Sequence, residues 1–557
     1  MNARSEIEVA RSMLRAARAE LGTDARTAAE LTACERRLDE PLRVALAGTL
    51  KAGKSTLLNA LVGEEIAPTD ATECTRIVTW FQRSAAPRIT LTADGQHRNL
   101  PVRRRDGRLQ LDLGGVAADR VERLEVGWPS SLLGEYTLVD TPGTSSNSAD
   151  VSERTLRLLA PEDGRCEADA VVYLMRQLQT ADIELLQQVQ ERMTAGAGPL
   201  GILGVLSRAD EAEGGRGESL APARRMSDML AHAPELRGLH QDFLPVSGLL
   251  ALRGQTLRQH EFTALRALAA LSPDQLDAAL ISVARFVAPT TDLPVAVEER
   301  AHLLDAFGPF GIRVAVAMIR GGIRDAPALA DELLRRSGLD ELRATLNARF
   351  GERNEQLKAH SALQTLRRIL LRHRGSGIER LTHRVDRLLA DTHAFTELRY
   401  LAALHGLRLA AKDRDRLARL LGGHGIAASR RLGLAPDAGR VAQLDAALHA
   451  IAYWRAQLEN PLLDAPTVAA CQAAIRSAEA LVTTLAMSSR ATGDTPRPGL
   501  VAPRPIPQPQ PIPQPPRNPA IPQPPRGPAR IPRVAQGAAR VLPPPGAARV
   551  LPPRGPA

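Results

Sequence analysis

The sequence predicts an α/β phosphate-loop domain with a doubly wound, mostly parallel sheet, then an all-α helical bundle, then a disordered Pro-rich C-terminal tail. Three observations carry this. Gly48, four intervening residues, Gly53, Lys54 and Ser55 fit G-x-x-x-x-G-K-[ST], with an apolar strand before and a helix after. Apolar strand segments recur between helical or loop segments as far as residue 247, and strand signals vanish from about 352 onward. The stretch from 491 to the end holds 22 of the 41 prolines.

From the N-terminus, residues 3 to 38 read as one or two amphipathic helices, with Ile7, Ala10, Leu14, Ala17 and Leu21 recurring at helical steps. "PLRVALAG" is the strand that enters the glycine loop, and "RIVTWF", "YTLVD", "ADAVVYLM", "GILGVL" and "DFLPVS" are the further strands. Beyond them, Leu363, Leu366 and Leu370, and later Ile475, Ala478, Val482 and Leu485, keep a heptad-like seam. The expected division is N-terminal helices over 1–40 bracing the stalk, a nucleotide domain over 41–350, a helical stalk over 352–488 and the tail over 491–557. In the tail "IPQPPR" begins at 512 and 521, and "ARVLPP" at 539 and 548. Such a composition buries no core and is a spacer first, with docking of a proline-reading protein as its functional alternative.

Composition narrows the function. The net charge is +10, but nine arginines against one aspartate from 491 onward account for eight of those charges. The body is therefore near neutral and no nucleic acid is expected as a partner. The four cysteines are far apart and suit neither a metal nor a disulfide framework, so reduced cytosolic thiols are expected. The N-terminal segment is charged throughout, unlike a signal peptide. The closest approach to a membrane span, "FGIRVAVAMI" at 310–319, is short and carries Arg313, which favours a buried helix.

The chemistry begins at the glycine loop. Gly48 and Gly53 let backbone N–H groups converge on phosphates, Lys54 neutralises their charge, the Ser55 hydroxyl suits Mg²⁺, and Thr56 continues a helix whose positive end faces the same phosphates. In "LVDTPGTSS", Asp140 ends an apolar strand and can hold the magnesium ion, while the Gly143 N–H can sense the γ-phosphate. Between them Thr75 is the candidate to close over the metal, with Thr72 its rival. "GILGVLSRADE" sets Ser207, Arg208 and Asp210 after a strand, approximating an [N/T]-K-x-D guanine reader. "DFLPVSGLLA" puts Ser247 in the base-cradling loop. Four elements in this order, each at a strand end, predict a guanine-nucleotide hydrolase with GTP and Mg²⁺ as its ligands.

With the N-terminal helices, the long helical half and "PTDATECTR" in the first switch, these motifs resemble the bacterial dynamin-like proteins over roughly residues 10 to 485. The resemblance implies a dynamin-type GTPase fold, GTP hydrolysis, self-association or pairing with a related dynamin-like protein, and action at membranes. Leu50 and Lys51 depart from it, standing where that family carries small polar residues. Leu50 can neither donate nor accept a hydrogen bond, whereas Lys51 either supplies a positive charge to catalysis or is simply solvated. No general-base carboxylate or glutamine is identifiable nearby.

Two weaker features remain. The histidines, among them His373, His383 and His393, suit no metal spacing and are expected at the surface or in the bundle. In "LRRILLRHRGSG", Arg367, Arg368, Arg372 and Arg374 surround Ile369, Leu370 and Leu371. The segment is either a solvated helix end or a tip that touches anionic lipid. The functional expectation is a cytoplasmic GTPase, peripheral to the inner face of the cell membrane, that couples GTP turnover to self-association and membrane binding or remodelling. A regulatory switch acting on a protein partner and an RNA- or ribosome-linked assembly GTPase are the alternatives.

Overall fold

Strands covered on both faces need nearly continuous apolar runs, and the sequence supplies them where the chain crosses the middle of the molecule. The computed structural model describes residues 5–68, 77–105, 107–142, 168–194, 201–215, 220–231, 233, 236 and 243–491. The strands are β1 (Leu42–Gly48), β2 (Thr79–Arg83), β3 (Arg88–Ala93), β4 (Gln96–Leu100), β5 (Arg103–Arg105), β6 (Arg108–Gln110), β7 (Val121–Trp128), β8 (Tyr136–Asp140), β9 (Ala170–Met175), β10 (Ile202–Ser207) and β11 (Phe243–Val246). Nine form one sheet in the order β11-β10-β9-β1-β8-β2-β7-β3-β4, with β5 and β6 as a separate ribbon. β11, β10, β9, β1 and β8 are mutually parallel. β2 turns antiparallel to β8 yet parallel to β7, and β3 runs antiparallel to both β7 and β4.

The parallel half is the one expected from the apolar runs. The wing β7-β3-β4 is not, because its strands are half exposed and read as mixed polar sequence. A local signal for it exists: Asp94 and Gly95, both with positive φ (51° and 70°), turn β3 into β4, as an Asp-Gly hairpin requires. Register then does the positioning. Leu46 pairs with Asp140 and Gly48 with Leu174, so the ends of β1 and β8 lie side by side.

The parallel part of the sheet is buried on both faces. One core gathers Val171, Tyr173 and Leu206 with Phe262, Leu303, Phe307 and Val316, and the other gathers Val44, Leu46, Leu138 and Val172 with Leu57, Leu61 and Leu342. The all-helical sequence therefore starts at Gly248, and its first hundred residues pack on the sheet. The helix Val297–Arg320 is long and apolar enough to cross a membrane by length and composition. Its backbone breaks at Gly308 (φ 64°, ψ 171°) ahead of Pro309, and Phe310, Ile312, Val314, Ala315 and Val316 are core residues.

Farther along, the helices Glu6–Leu21 and Ala25–Arg37 pack their apolar faces on Asn354–Leu371 and Ser376–Asp391, with Met13, Leu14 and Leu31 meeting Leu363, Leu366, Leu370 and Val385. A last cluster joins Leu401, Leu417 and Trp454 to Cys471, Ala474 and Ala478. Buried Glu397 ties this part together. It accepts from Ser477 Oγ at 2.6 Å and pairs with Arg431 and, at 3.4 Å, with Arg353. Against the burial that would raise it, hydrogen bonds from His393 and Ser477 and the two guanidinium charges hold its carboxyl down to about 2.

The lipid-tip reading of 367–374 is corrected here. Ile369 and Leu370 are buried against the N-terminal helices, and of the apolar triplet only Leu371 is exposed. Arg367 pairs with Asp386 at 2.5 Å, Arg372 pairs with Glu30 and Arg368 is partnered too, so at least three of the four cations are engaged within the protein. The helical period explains it: residues three and four apart continue the seam of Leu363 and Leu366 inward, which leaves no apolar tip. The tail reading, 491–557, lies outside the described residues apart from Ala491.

Leu370→Ala should cost about 2–5 kcal/mol in denaturant unfolding, and Leu371→Ala no more than about 0.5 kcal/mol. Equal costs would show that the segment does not pack as described. His360 gives a second expectation. It is buried edge-on to Phe395 (ring centroids 5.1 Å apart), and burial, aided by the Arg399 charge, pushes its imidazole down to about 3. A lowered histidine contributes stability above its unfolded value of about 6.5, lost at up to about 1.4 kcal/mol per pH unit as pH falls toward the folded value. His360→Gln should flatten the loss of stability between about pH 6.5 and 5. A slope identical to that of the parent protein would place that titration elsewhere.

Candidate functional site

Gly48 closes β1 at φ 145°, where a Cβ would lie 2.1 Å from the Leu174 carbonyl oxygen of β9. Only glycine lets the chain leave the sheet here. The loop then passes Leu50, 54% exposed, and Lys51, which holds the left-handed conformation at φ 62°. Gly53 (φ 87°) starts the helix Lys54–Val62. Lys54 is 8% exposed and donates to the carbonyls of Gly48 (3.0 Å) and Thr49 (3.1 Å), so the loop folds around its own ammonium group. Burial lowers the Lys54 ammonium from its ordinary value, with Asp140 acting the other way.

Ser55 Oγ donates to Asp140 Oδ2 at 2.8 Å. Asp140 Oδ1 is buried and takes no hydrogen bond among the described residues. Burial raises the Asp140 carboxyl above the usual range, opposed by the Lys54 charge and the Ser55 hydrogen bond. A buried carboxylate oxygen without a donor is costly by itself. Beside a hydroxyl it offers the hard oxygen ligands that Mg²⁺ takes, so the residues fit that ion. Thr141 fixes the strand end by donating from Oγ1 to the Leu46 carbonyl at 2.9 Å. Thr75, Thr72 and Gly143 lie outside the described residues.

The other end of the site is built by β10, β11 and the helix Gly248–Thr256. Ser207 Oγ donates to the Met175 carbonyl at 3.1 Å, which locks the end of β10 to β9. Arg208 takes φ 51° and reaches Glu211 at 2.7 Å, and Arg176 pairs with the same carboxylate. Asp210 is 8% exposed. Burial raises its carboxyl, a hydrogen bond with Ser247 counters this, and Ser247 also caps the helix Gly248–Thr256. Gly53, Thr56, Ser207, Asp210, Gly248 and Leu249 line one small pocket, which joins the helix of the phosphate loop to the base-side segments. Among the described residues, two of the three non-glycine residues with positive φ, Lys51 and Arg208, belong to the segments at its two ends. Backbone strain of this kind concentrates where geometry serves a ligand. The arrangement can therefore hold a polyphosphate at one end and present a buried carboxylate to ring N–H groups at the other.

Sequence reasoning missed Asn59. Wholly buried, it accepts from the backbone of Ile66 (2.9 Å) and Ala67 (2.7 Å) and donates to the Ala67 carbonyl (2.9 Å). It straps the segment that enters residues 69–76 onto the phosphate-loop helix. An asparagine on the inward face of "STLLNALVG" was the available signal.

The two loop glycines should respond differently to a methyl group. Gly48→Ala should destabilise the protein by about 3 kcal/mol or more, combining a left-handed φ with a backbone collision. Gly53→Ala, which meets nothing within 4 Å, should cost only the left-handed penalty of about 1–2 kcal/mol. Equal losses in chemical denaturation would contradict the close approach of β1 to β9.

Comparison with known proteins agrees with this geometry. The model of the dynamin family matches residues 44–204. Isoniazid-induced protein IniC of Mycobacterium tuberculosis is 49% identical over 449 residues, covering 80% of this chain and 91% of IniC. Isoniazid-induced protein IniA of the same organism is 37% identical over 149 residues, covering 26% of this chain and 22% of IniA. A solved bacterial dynamin pair, described as oligomerised and as sensing and tethering membranes at long range, aligns over 87% of this chain and 75% of its own at 15% identity. Its TM-score of 0.28 is too low to carry weight. The phosphate loop with its helix, the buried carboxylate at the end of β8 and the identity shared with IniC together place the chain in the dynamin family, as a dynamin-like GTPase.

Proposed function

We propose that the chain couples GTP binding and hydrolysis to association with itself or with a related dynamin-like protein, and through that association to binding or reshaping of the inner face of the cell membrane. In this reading Lys54 balances the β- and γ-phosphate charge, and Lys51 adds a second cation at the rim. Ser55 and Asp140 hold Mg²⁺, joined by Thr75, and the ion when bound neutralises phosphate charge. Gly143 reports the γ-phosphate. Asp210 accepts from the guanine N1 and N2 groups, with Ser207, Arg208 and Ser247 around the base.

The observation that carries the reading is the contact of Ser55 Oγ with Asp140, whose other oxygen is buried without a partner beside the phosphate loop. Membership of the dynamin family supports self-association and a place at the membrane. Attachment then rests on many weak contacts summed across an assembly, because one chain contributes little and avidity multiplies it. The burial of Ile369 and Leu370 removes them as a lipid contact, and a second reading, in which nucleotide state changes affinity for a protein partner, stands beside the first.

Light scattering and co-sedimentation with anionic vesicles, each with no nucleotide, GDP or a non-hydrolysable GTP analogue, separate the two. The expected outcome is a several-fold rise in both assembly and vesicle binding with the analogue, absent in Lys54→Ala. A chain that stays monomeric and unbound in every nucleotide state, while still hydrolysing GTP, would leave the protein-partner reading in its place.

A further inference from the structure

The fold brings together three metal-ligating side chains that no spacing in the sequence groups, His260, Glu261 and His302, with a fourth, Glu299, beside His260. His260 and Glu261 stand in the first turn of the helix Gln259–Ala269, and Glu299 and His302 sit three apart on one face of Val297–Arg320. The ligating atoms of His260, Glu261 and His302 lie within 4.8 Å of one another. His302 Nε2 is 2.9 Å from Glu261 Oε1, and His260 Nε2 is 4.0 Å from Glu299 Oε1.

A plain imidazole–carboxylate hydrogen bond accounts for His302 and Glu261 alone. It leaves two facts over. A second imidazole converges on the same point. Glu299 Oε1 is shielded from water yet takes no hydrogen bond among the described residues, which is costly for a carboxylate.

We propose that His260, Glu261, Glu299 and His302 bind one divalent transition-metal ion that clamps the helix Gln259–Ala269 to Val297–Arg320. Two imidazoles with two carboxylates form a mixed nitrogen–oxygen set, which suits Zn²⁺ or Co²⁺ and not the all-oxygen preference of Mg²⁺. The orienting bond that such ligands need is present: the Arg258 backbone N–H donates to Glu261 Oε2 at 2.7 Å and leaves Oε1 to face the histidines. Both histidines are half exposed, which gives an ion a way in, while Glu261 is wholly buried. Arg253, whose guanidinium lies 3.7 Å from Glu261 Oε1, is itself paired with Glu65, so its charge is already compensated. The site is separate from the phosphate loop and does not rest on the reading of the nucleotide pocket.

The test uses the full chain, stripped by chelator and free of nucleotide. Zn²⁺ is titrated by calorimetry and Co²⁺ by visible absorption, both with excess Mg²⁺ present to keep oxygen sites filled. The expected result is one equivalent bound, the intense spectrum of four-coordinate Co²⁺, and a Zn²⁺-dependent rise in melting temperature. His260→Ala, which removes an exposed side chain and spares the core, should weaken binding at least tenfold. His260→Ala with His302→Ala should abolish the spectrum. Failure of the parent chain to bind a stoichiometric ion would overturn the proposal, as would equal affinity in the double variant.

Discussion

A buried ammonium and a buried carboxylate, Lys54 and Asp140, stand at the ends of neighbouring elements, and the structure around them is arranged to bear that cost. Burial works on them in opposite directions, lowering the lysine and raising the aspartate. Each acts on the other through its charge, yet Lys54 gives its hydrogen bonds to loop carbonyls and Asp140 accepts from Ser55. Neither is tolerable in a loose scaffold. The pairing of Leu46 with Asp140 and of Gly48 with Leu174, the anchor from Thr141 and the strap from Asn59 together hold the pair in a fixed frame. In the proposed reading a polyphosphate and its cation offset both burial costs at once. Ligand affinity is then stored in the apo fold as strain that the cores on either face of the sheet can bear.

The parts legible in the sequence were those whose physics is local. A strand buried on both faces must be an apolar run, a phosphate loop must carry glycines at set positions, and a helix packed on one side must repeat at three and four. The parallel strands, the loop from Gly48 to Ser55 and the placement of Asp140 follow from those rules. The wing of β3, β4 and β7 does not, since half-exposed strands are stabilised by their neighbours and show no run of their own. Burial of Ile369 and Leu370 was hidden for a related reason. Composition shows an apolar triplet among arginines, but only the docking of the N-terminal helices decides that two of the three face inward. The cluster around His302 depends on contacts between distant segments, which one-dimensional spacing does not express. Asn59, by contrast, bonds only as far as Ala67 and shows in the sequence as nothing more than a polar residue on an apolar helix face.

The two halves of the chain hold their buried polar groups in contrasting ways. Around Glu397, two arginines, a serine and a histidine meet one carboxylate, and its acidity is strongly enhanced. Such a hub favours one packing of its helices over others. Around Asp140 and Asp210 burial dominates instead, and both carboxyls are raised. A carboxylate held by several partners marks the helical hub, and carboxylates whose acidity is set mainly by burial mark the part suited to accept a ligand.

The docking of the first two helices on Asn354–Leu371 also bears on how the protein is made. Cys34 Sγ reaches the Ala362 carbonyl across 328 positions of sequence. At synthesis rates of about 5–20 residues per second, the apolar faces of Glu6–Leu21 and Ala25–Arg37 therefore wait roughly 20–70 s before their partner leaves the ribosome. Throughout that interval they are free amphipathic helices, fit to pair with each other, with a chaperone or with the same helices of a neighbouring nascent chain. The sheet can assemble during the wait, because its last strand ends at Val246. The order of translation thus leaves the nucleotide-side fold to form first and makes closure of the N-terminal helices the late step, the one at which unfinished chains on one messenger are most exposed to each other.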